Sequence, residues 1–262
     1  MQLLAYKQKA AKIRYIFISH LHGDHYFGLA GLLSSLHLNG RSEDLYLYGP
    51  PGLSEILTTQ FRYSDTRLEY RIHFRELAPV REVILDTEQI TVETIPLNHR
   101  IQCTGFLFRE KPGKRRINKE LLPPDLSHHQ LRRLKDGKDL YDADENLMYT
   151  NEQLTLPPRK PRSYAYCSDT GYFESIVEQI RGVDLLYHES TFLDDQRERA
   201  NETFHSTAKQ AATIARLAGV GKLVLGHYSS RYRDLSPFRE EARTIFENTV
   251  LSIEGEDITL EE

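Results

Sequence analysis

The chain has 262 residues, 39% hydrophobic and 27% charged, with a formal net charge of −4. These proportions belong to a globular protein and exclude a low-complexity or disordered chain. The mild negative charge excludes a global pull toward polyanions, so any contact with nucleic acid requires a local basic patch.

No apolar run reaches the length of a membrane span. The two cysteines, Cys103 and Cys167, make no disulfide framework, and the expected setting is reducing and cytoplasmic. Residues 1–7 read as the middle of an amphipathic helix with no capping residue ahead of it. The apolar stretch 13–18 predicts a strand, which runs directly into Ser19-His20-Leu21-His22-Gly23-Asp24-His25. Alternation along that strand sends His20 and His22 to one side, and Gly23-Asp24-His25 turns back toward the same point. Neutral imidazole and carboxylate suit Zn²⁺ or a similar divalent ion. Four such groups are too many for one open catalytic zinc and point to two ions side by side. The pattern is that of a metal hydrolase.

Residues 29–38 predict a helix, closed by Asn39-Gly40. A strand at 45–48 ends in the turn Gly49-Pro50-Pro51-Gly52, and a helix over 53–61 comes next. Strands follow at 72–77, 91–96 and 104–108. The composition then changes: residues 109–138 hold ten basic and four acidic side chains, a charge of +6 against −10 for the remainder. An acidic stretch at 139–152 and the proline-rich 156–161 complete a segment, 109–162, read as an insertion projecting from a single domain spanning 1–262. A connection this long is uncommon in a compact domain unless it is functional. Regular texture resumes with a strand at 163–168, a helix at 173–180, a strand at 183–187, a helix at 206–217 and a strand at 222–225.

Four further sites share one placement, a polar residue just after an apolar run: His99, Asp169, the pair His188-Glu189, and His227. Sites in α/β architectures collect where strands stop and loops begin. Each of these alone reads equally well as a surface residue; together with the first motif they complete two coordination spheres. His205 stands just before a helix that Ser206 or Thr207 can cap, so a plain helix start is the competing reading there. His37, His73, His128 and His129 lack such company and read as ordinary surface or packing residues, with His128 and His129 set apart only by lying in the insertion.

The H-x-H-x-D-H run, His99, Ser168-Asp169-Thr170 and His227 resemble the metallo-β-lactamase-fold hydrolases. More narrowly, His188-Glu189-Ser190-Thr191, His205-Ser206-Thr207 with the helix after it, and His227-Tyr228-Ser229-Ser230-Arg231-Tyr232 resemble the ribonuclease Z family, endonucleases that mature tRNA 3′ ends. The resemblance implies an α/β fold built as a four-layer αββα sandwich. It implies one zinc held by His20, His22, His99 and Asp169, and a second held by Asp24, His25, His227 and the same Asp169 as bridge. Asp24 would orient or deprotonate the nucleophile, and Glu189 with His205 would relay a proton to the departing 3′ oxygen. The insertion sits where the family carries a flexible arm that grips tRNA, and precursor tRNA and a second copy of the chain are the implied partners. The family also has strands ahead of Gln2, so the first strands of one sheet are expected to be missing from this sequence.

Two other readings remain at this point. One is a small-molecule hydrolase of the same fold, of thioesterase or arylsulfatase type. The other is an inactive, truncated RNA-binding relative.

Overall fold

The computed structural model describes residues 2–260. A short helix, α1 (Gln2–Ala5), and a 3-10 turn lead into β1 (Tyr15–Phe17), followed by α2 (Gly23–Leu38), β2 (Leu45–Gly49), α3 (Leu53–Tyr63) and β3 (Ile72–Glu76). Strands β1, β2 and β3 pair in parallel as one sheet. Next come β4 (Val83–Asp86), β5 (Ile90–Pro96) and β6 (Thr104–Glu110), an antiparallel meander.

The insertion then folds as β7 (Arg116–Ile117), α4 (His128–Lys135), β8 (Leu140–Tyr141), β9 (Leu147–Tyr149), α5 (Asn151–Leu154) and β10 (Thr155–Leu156). It has a small core of its own, in which Leu134, Leu140 and Leu154 are buried against Ile117, Leu122, Leu126 and Tyr149. The root is closed by pairing of β7 with β10, Ile117 opposite Thr155. Capping boxes at Ser127–Gln130 and Thr150–Gln153 start its two helices.

Beyond it lie β11 (Ser163–Cys167), β12 (Leu185–Glu189), α6 (Arg197–Thr203), α7 (Ala208–Ala218), β13 (Lys222–Gly226), α8 (Ser236–Arg243) and β14 (Thr249–Leu251). The second sheet runs β14-β13-β12-β11-β6-β5-β4, parallel from β11 to β14 and antiparallel elsewhere.

Strand alternation builds the layers. In β6, Phe106 and Phe108 face the three-stranded sheet, where both rings meet Phe17, while Leu107 joins the core beneath α7 and α8. Tyr48, Leu77, Ile84 and Val92 fill the space between the sheets. On the far side of the first sheet, α2 buries Leu29, Ala30, Leu33 and Leu36 against Leu45 and Leu47. On the far side of the second, α7 presents Ala208, Ala211, Ala212, Ala215 and Ala218, all fully buried. Such small side chains let the helix lie close to the sheet. The order is helix, sheet, sheet, helix, the expected αββα sandwich.

Three local expectations need correction. The helix of residues 29–38 begins six residues earlier, at Gly23, so Asp24 and His25 stand in its first turn. Helix 173–180 is absent; a 3-10 turn (Glu174–Ile176) and open turns take its place. Burial of Ile176 and Ile180, and the bond from Gly182 N to Ala218 O, hold that segment without a helical ladder. Strand β12 extends to Glu189, two residues beyond the expected end, because it pairs with both β11 and β13. Among the described residues no helix is long and apolar enough to cross a membrane.

Candidate metal centre

All seven expected metal ligands converge at the ends of strands. His20 and His22 follow β1, Asp24 and His25 open α2, His99 follows β5, Asp169 follows β11 and His227 follows β13. Two groups of donor atoms lie within mutual reach: His20, His22, His99 and Asp169, and Asp24, His25 and His227.

Asp169 joins the groups with one oxygen each. Its Oδ2 lies 3.5 Å from His20 Nε2 and 3.9 Å from His99 Nε2. Its Oδ1 lies 3.3 Å from His25 Nε2 and 3.4 Å from His227 Nε2. Asp24 Oδ2 closes the second group at 3.4 Å from His25 Nε2 and 3.8 Å from His227 Nε2. His22 enters the first group through Nδ1, 3.1 Å from His20 Nε2 and 3.3 Å from His99 Nε2. The three imidazole nitrogens of this group lie so close that they repel one another once protonated, so the arrangement suits neutral rings aimed at a cation. The buried Nε2 of His25 makes no well-formed hydrogen bond. Nitrogen and carboxylate donors with an orphaned nitrogen among them fit divalent metal ions.

The charge states agree. Burial, only partly offset by Asp169, pushes His20 down to about 3. Burial likewise lowers His99. Burial opposes the charged form of Asp169, but the close approach of His25, the facing His227 and the Ser168 hydroxyl outweigh it and hold the carboxyl well below its usual range. Burial thus favours neutral rings at His20 and His99 beside an ionised Asp169, the protonation states that ligation requires, whereas at His25 the neighbouring Asp169 and Asp24 outweigh burial and raise the imidazole.

A second shell sets ring orientation. His99 Nδ1 donates to the Phe204 carbonyl at 3.1 Å. Thr191 Oγ1 lies 2.9 Å from His227 Nδ1 and 2.7 Å from Glu189 Oε2. Ser19 Oγ lies 3.0 Å from His20 Nδ1, and the buried Cys103 thiol donates to the Ser168 carbonyl at 3.4 Å. Asp169, Phe204 and His227 have φ of +51°, +59° and +58°. Left-handed backbone at three non-glycine positions stores about 1 kcal/mol or more each and is typical of functional sites.

Glu189 is fully buried and receives five hydrogen bonds. Oε1 accepts from Thr170 N at 2.9 Å and His205 Nδ1 at 2.7 Å. Oε2 accepts from Thr191 N, Thr191 Oγ1 and Ser206 N. Burial pulls His205 down, yet Glu189 overcomes it and leaves the imidazole above its ordinary value. With Nδ1 engaged, Nε2 is the atom left for the centre; the ring stands 5.3 Å from the rings of both His99 and His227. Thr207, not His205, caps α7, so the helix-start reading of this stretch and the site reading are compatible. His205 can also join Asp169 and His227 as a third donor group.

His188 stays outside: its ring is buried on the other face of β12 from Glu189, with Nδ1 on the Glu189 carbonyl. His37 and His73 lie on the surface with local partners, and His128 and His129 open α4 in the insertion. Ser168, Thr170 and Cys103 were missed as supporting groups by sequence reasoning. Adjacency to Asp169 was the only signal for the first two, and Cys103 had none.

The β-lactamase superfamily domain model matches residues 2–117 and 154–228, leaving out most of the insertion. The chain is 51% identical over 234 residues to the ribonuclease Z of Cytophaga hutchinsonii, covering 89% of this chain and 75% of that protein. It is 45% identical over 262 residues to the ribonuclease Z of Bacteroides fragilis, covering 99% and 86%. The crystal structure of the short form of human tRNase Z superposes with a TM-score of 0.70 at 26% identity, covering 99% of this chain and 84% of that one.

Proposed function

Because this chain belongs to the β-lactamase superfamily and, within it, to the ribonuclease Z family, we propose that it is a metal-dependent endoribonuclease that removes the 3′ trailer from precursor tRNA. The observation that carries this reading is the single carboxylate of Asp169, one oxygen turned to each group of donors, with the buried Glu189–His205 pair beside it. Zinc is the metal that the histidine-rich donor set favours, two ions per chain. Ions held there lower the pKa of the attacking water and supply positive charge for an in-line phosphodiester transition state.

The chain's own residues do the rest. Asp24, whose side chain is largely exposed beside His25 and His227, orients the attacking water and takes its proton. His205 delivers a proton from Nε2 to the departing 3′ oxygen, and Glu189 holds the ring in place and stabilises its charged form. The positive end of α2 faces the anionic substrate. Specificity for tRNA is assigned to the insertion, where α4 exposes Arg132 and Lys135 to phosphates away from the cut. Several other basic residues of this segment are engaged locally, Lys114 with Asp136 and Arg162 with Glu110. The reading includes a homodimer working in the cytoplasm.

The test is cleavage of a 3′-extended precursor tRNA by the purified protein, with mapped ends, before and after chelation and zinc readdition. Cleavage at the trailer junction that chelator abolishes and zinc restores is expected. Faster turnover of thioesters or aryl sulfates than of RNA would make it a small-molecule hydrolase. Tight RNA binding by a metal-loaded protein that cuts nothing would make it a binding protein.

A further inference from the structure

Phe27, two residues beyond His25 on α2, is an aromatic residue that the mechanism does not use. It lies in the second turn of α2, on the side opposite the buried Leu29 and Leu36, and is 73% exposed. Isolated surface aromatics are ordinary, but three observations set this one apart. Its ring lies directly over Gly23, so close that a Cβ on Gly23 would fall 2.3 Å from Phe27 Cε2. It is thus held between the helix and solvent, braced edge-on by Tyr26 at 5.0 Å. Gly23 sits between His22 and Asp24, so the ring covers the stretch of backbone that joins two of the proposed ligands. His22 also meets the exposed Arg100, whose guanidinium nitrogen lies 3.4 Å from His22 Nε2.

We propose that Phe27 is a base-stacking platform for a nucleotide flanking the scissile phosphate, with Arg100 supplying charge for the adjoining backbone phosphate. This rests on the endoribonuclease reading and specifies how that site takes its substrate. An exposed ring fixed against a glycine offers its free face to any nucleobase, since every base has a face to stack on an aromatic side chain. A cation beside the ring matches the phosphate that follows each base in the chain. Stacking of this kind is tolerant of sequence, which suits an enzyme that must accept many trailers.

The experiment compares Phe27→Ala, Phe27→Leu, Phe27→Tyr and Phe27→Trp for two substrates, a 3′-extended precursor tRNA and bis(4-nitrophenyl) phosphate. The readout is the ratio of kcat/KM for RNA to kcat/KM for the small ester. Ala and Leu are expected to lower that ratio at least tenfold, chiefly through KM for RNA, while Tyr and Trp retain it within about threefold. A Leu variant that keeps the wild-type ratio would overturn the proposal, since it supplies apolar bulk without an aromatic face. An Ala variant with an unchanged ratio would overturn it equally. Failure of the wild-type protein to cut RNA at all would instead remove the functional reading on which this one stands.

Discussion

Glu189 Oε1 lies 2.7 Å from His205 Nδ1, and the carboxylate behind that bond is fully buried with five donors upon it. So many hydrogen bonds fix the carboxylate rigidly, and with it the imidazole. The pair connects two segments distant in sequence, the end of β12 and the loop before α7. Replacing His205 with Ala is expected to lower turnover of precursor tRNA by about a hundredfold or more, the usual worth of a positioned proton donor. Metal content, measured by elemental analysis, should stay intact. Loss of an ion in this variant would reassign His205 from proton donor to ligand.

Asp169 is expected to be indispensable to both ions, since each group of imidazoles faces a different oxygen of its carboxylate. Asp169→Ala should lose activity and most bound metal together. Full occupancy in that variant would refute the bridging role.

The insertion is expected to be separable from the chemistry. Ile117 and Thr155 face each other across β7 and β10, so replacing residues 118–154 with Asn-Gly closes a two-residue hairpin. Its buried leucines pack mainly on one another and leave together. Binding of precursor tRNA should weaken tenfold or more and lose part of its salt dependence, while hydrolysis of a small phosphodiester changes far less. Equal damage to both substrates would make the insertion structural.

Asp184 fastens the return of the insertion to the second sheet. Its Oδ2 accepts from Ser163 N at 2.8 Å and Ser163 Oγ at 2.7 Å, and its Oδ1 from Lys160 at 2.8 Å. Burial opposes the charged form, but these bonds outweigh it and lower the carboxyl from its ordinary value. A depressed carboxyl stabilises the fold above its unfolded pKa and ceases to do so as pH falls through the folded one. Asp184→Asn should therefore cost about 1–2 kcal/mol at pH 7, read as a lower melting temperature, and the gap should narrow below pH 4. A gap independent of pH would show that the carboxylate's charge is irrelevant there.

Much of this protein was legible in the chain alone. The H-x-H-x-D-H run after an apolar stretch, and His99, Asp169, Glu189 and His227 after later strands, come together in one cluster while His188 does not, because strands deliver their last residues to a common edge of the sheet and alternation turns His188 to the other face. The αββα order was implied by resemblance and is built by alternation such as Phe106 and Phe108 against Leu107. Segment 173–180 misled because its apolar spacing fits a helix, whereas burial of Ile176 and Ile180 is achieved by turns. The helix α8 went unseen because only Phe238 and Ala242 of its eight residues are buried.

The sequence by itself picked out which residues could hold a metal, since ligand chemistry requires histidine and carboxylate whatever the fold. It could not decide how they divide: that Asp169 splits its two oxygens between the groups, and that His22 alone of the first group turns Nδ1 inward. Those facts depend on ring orientation. Orientation is set by second-shell partners such as Thr191, Phe204 and Ser19, which only the packing of distant strands brings into place.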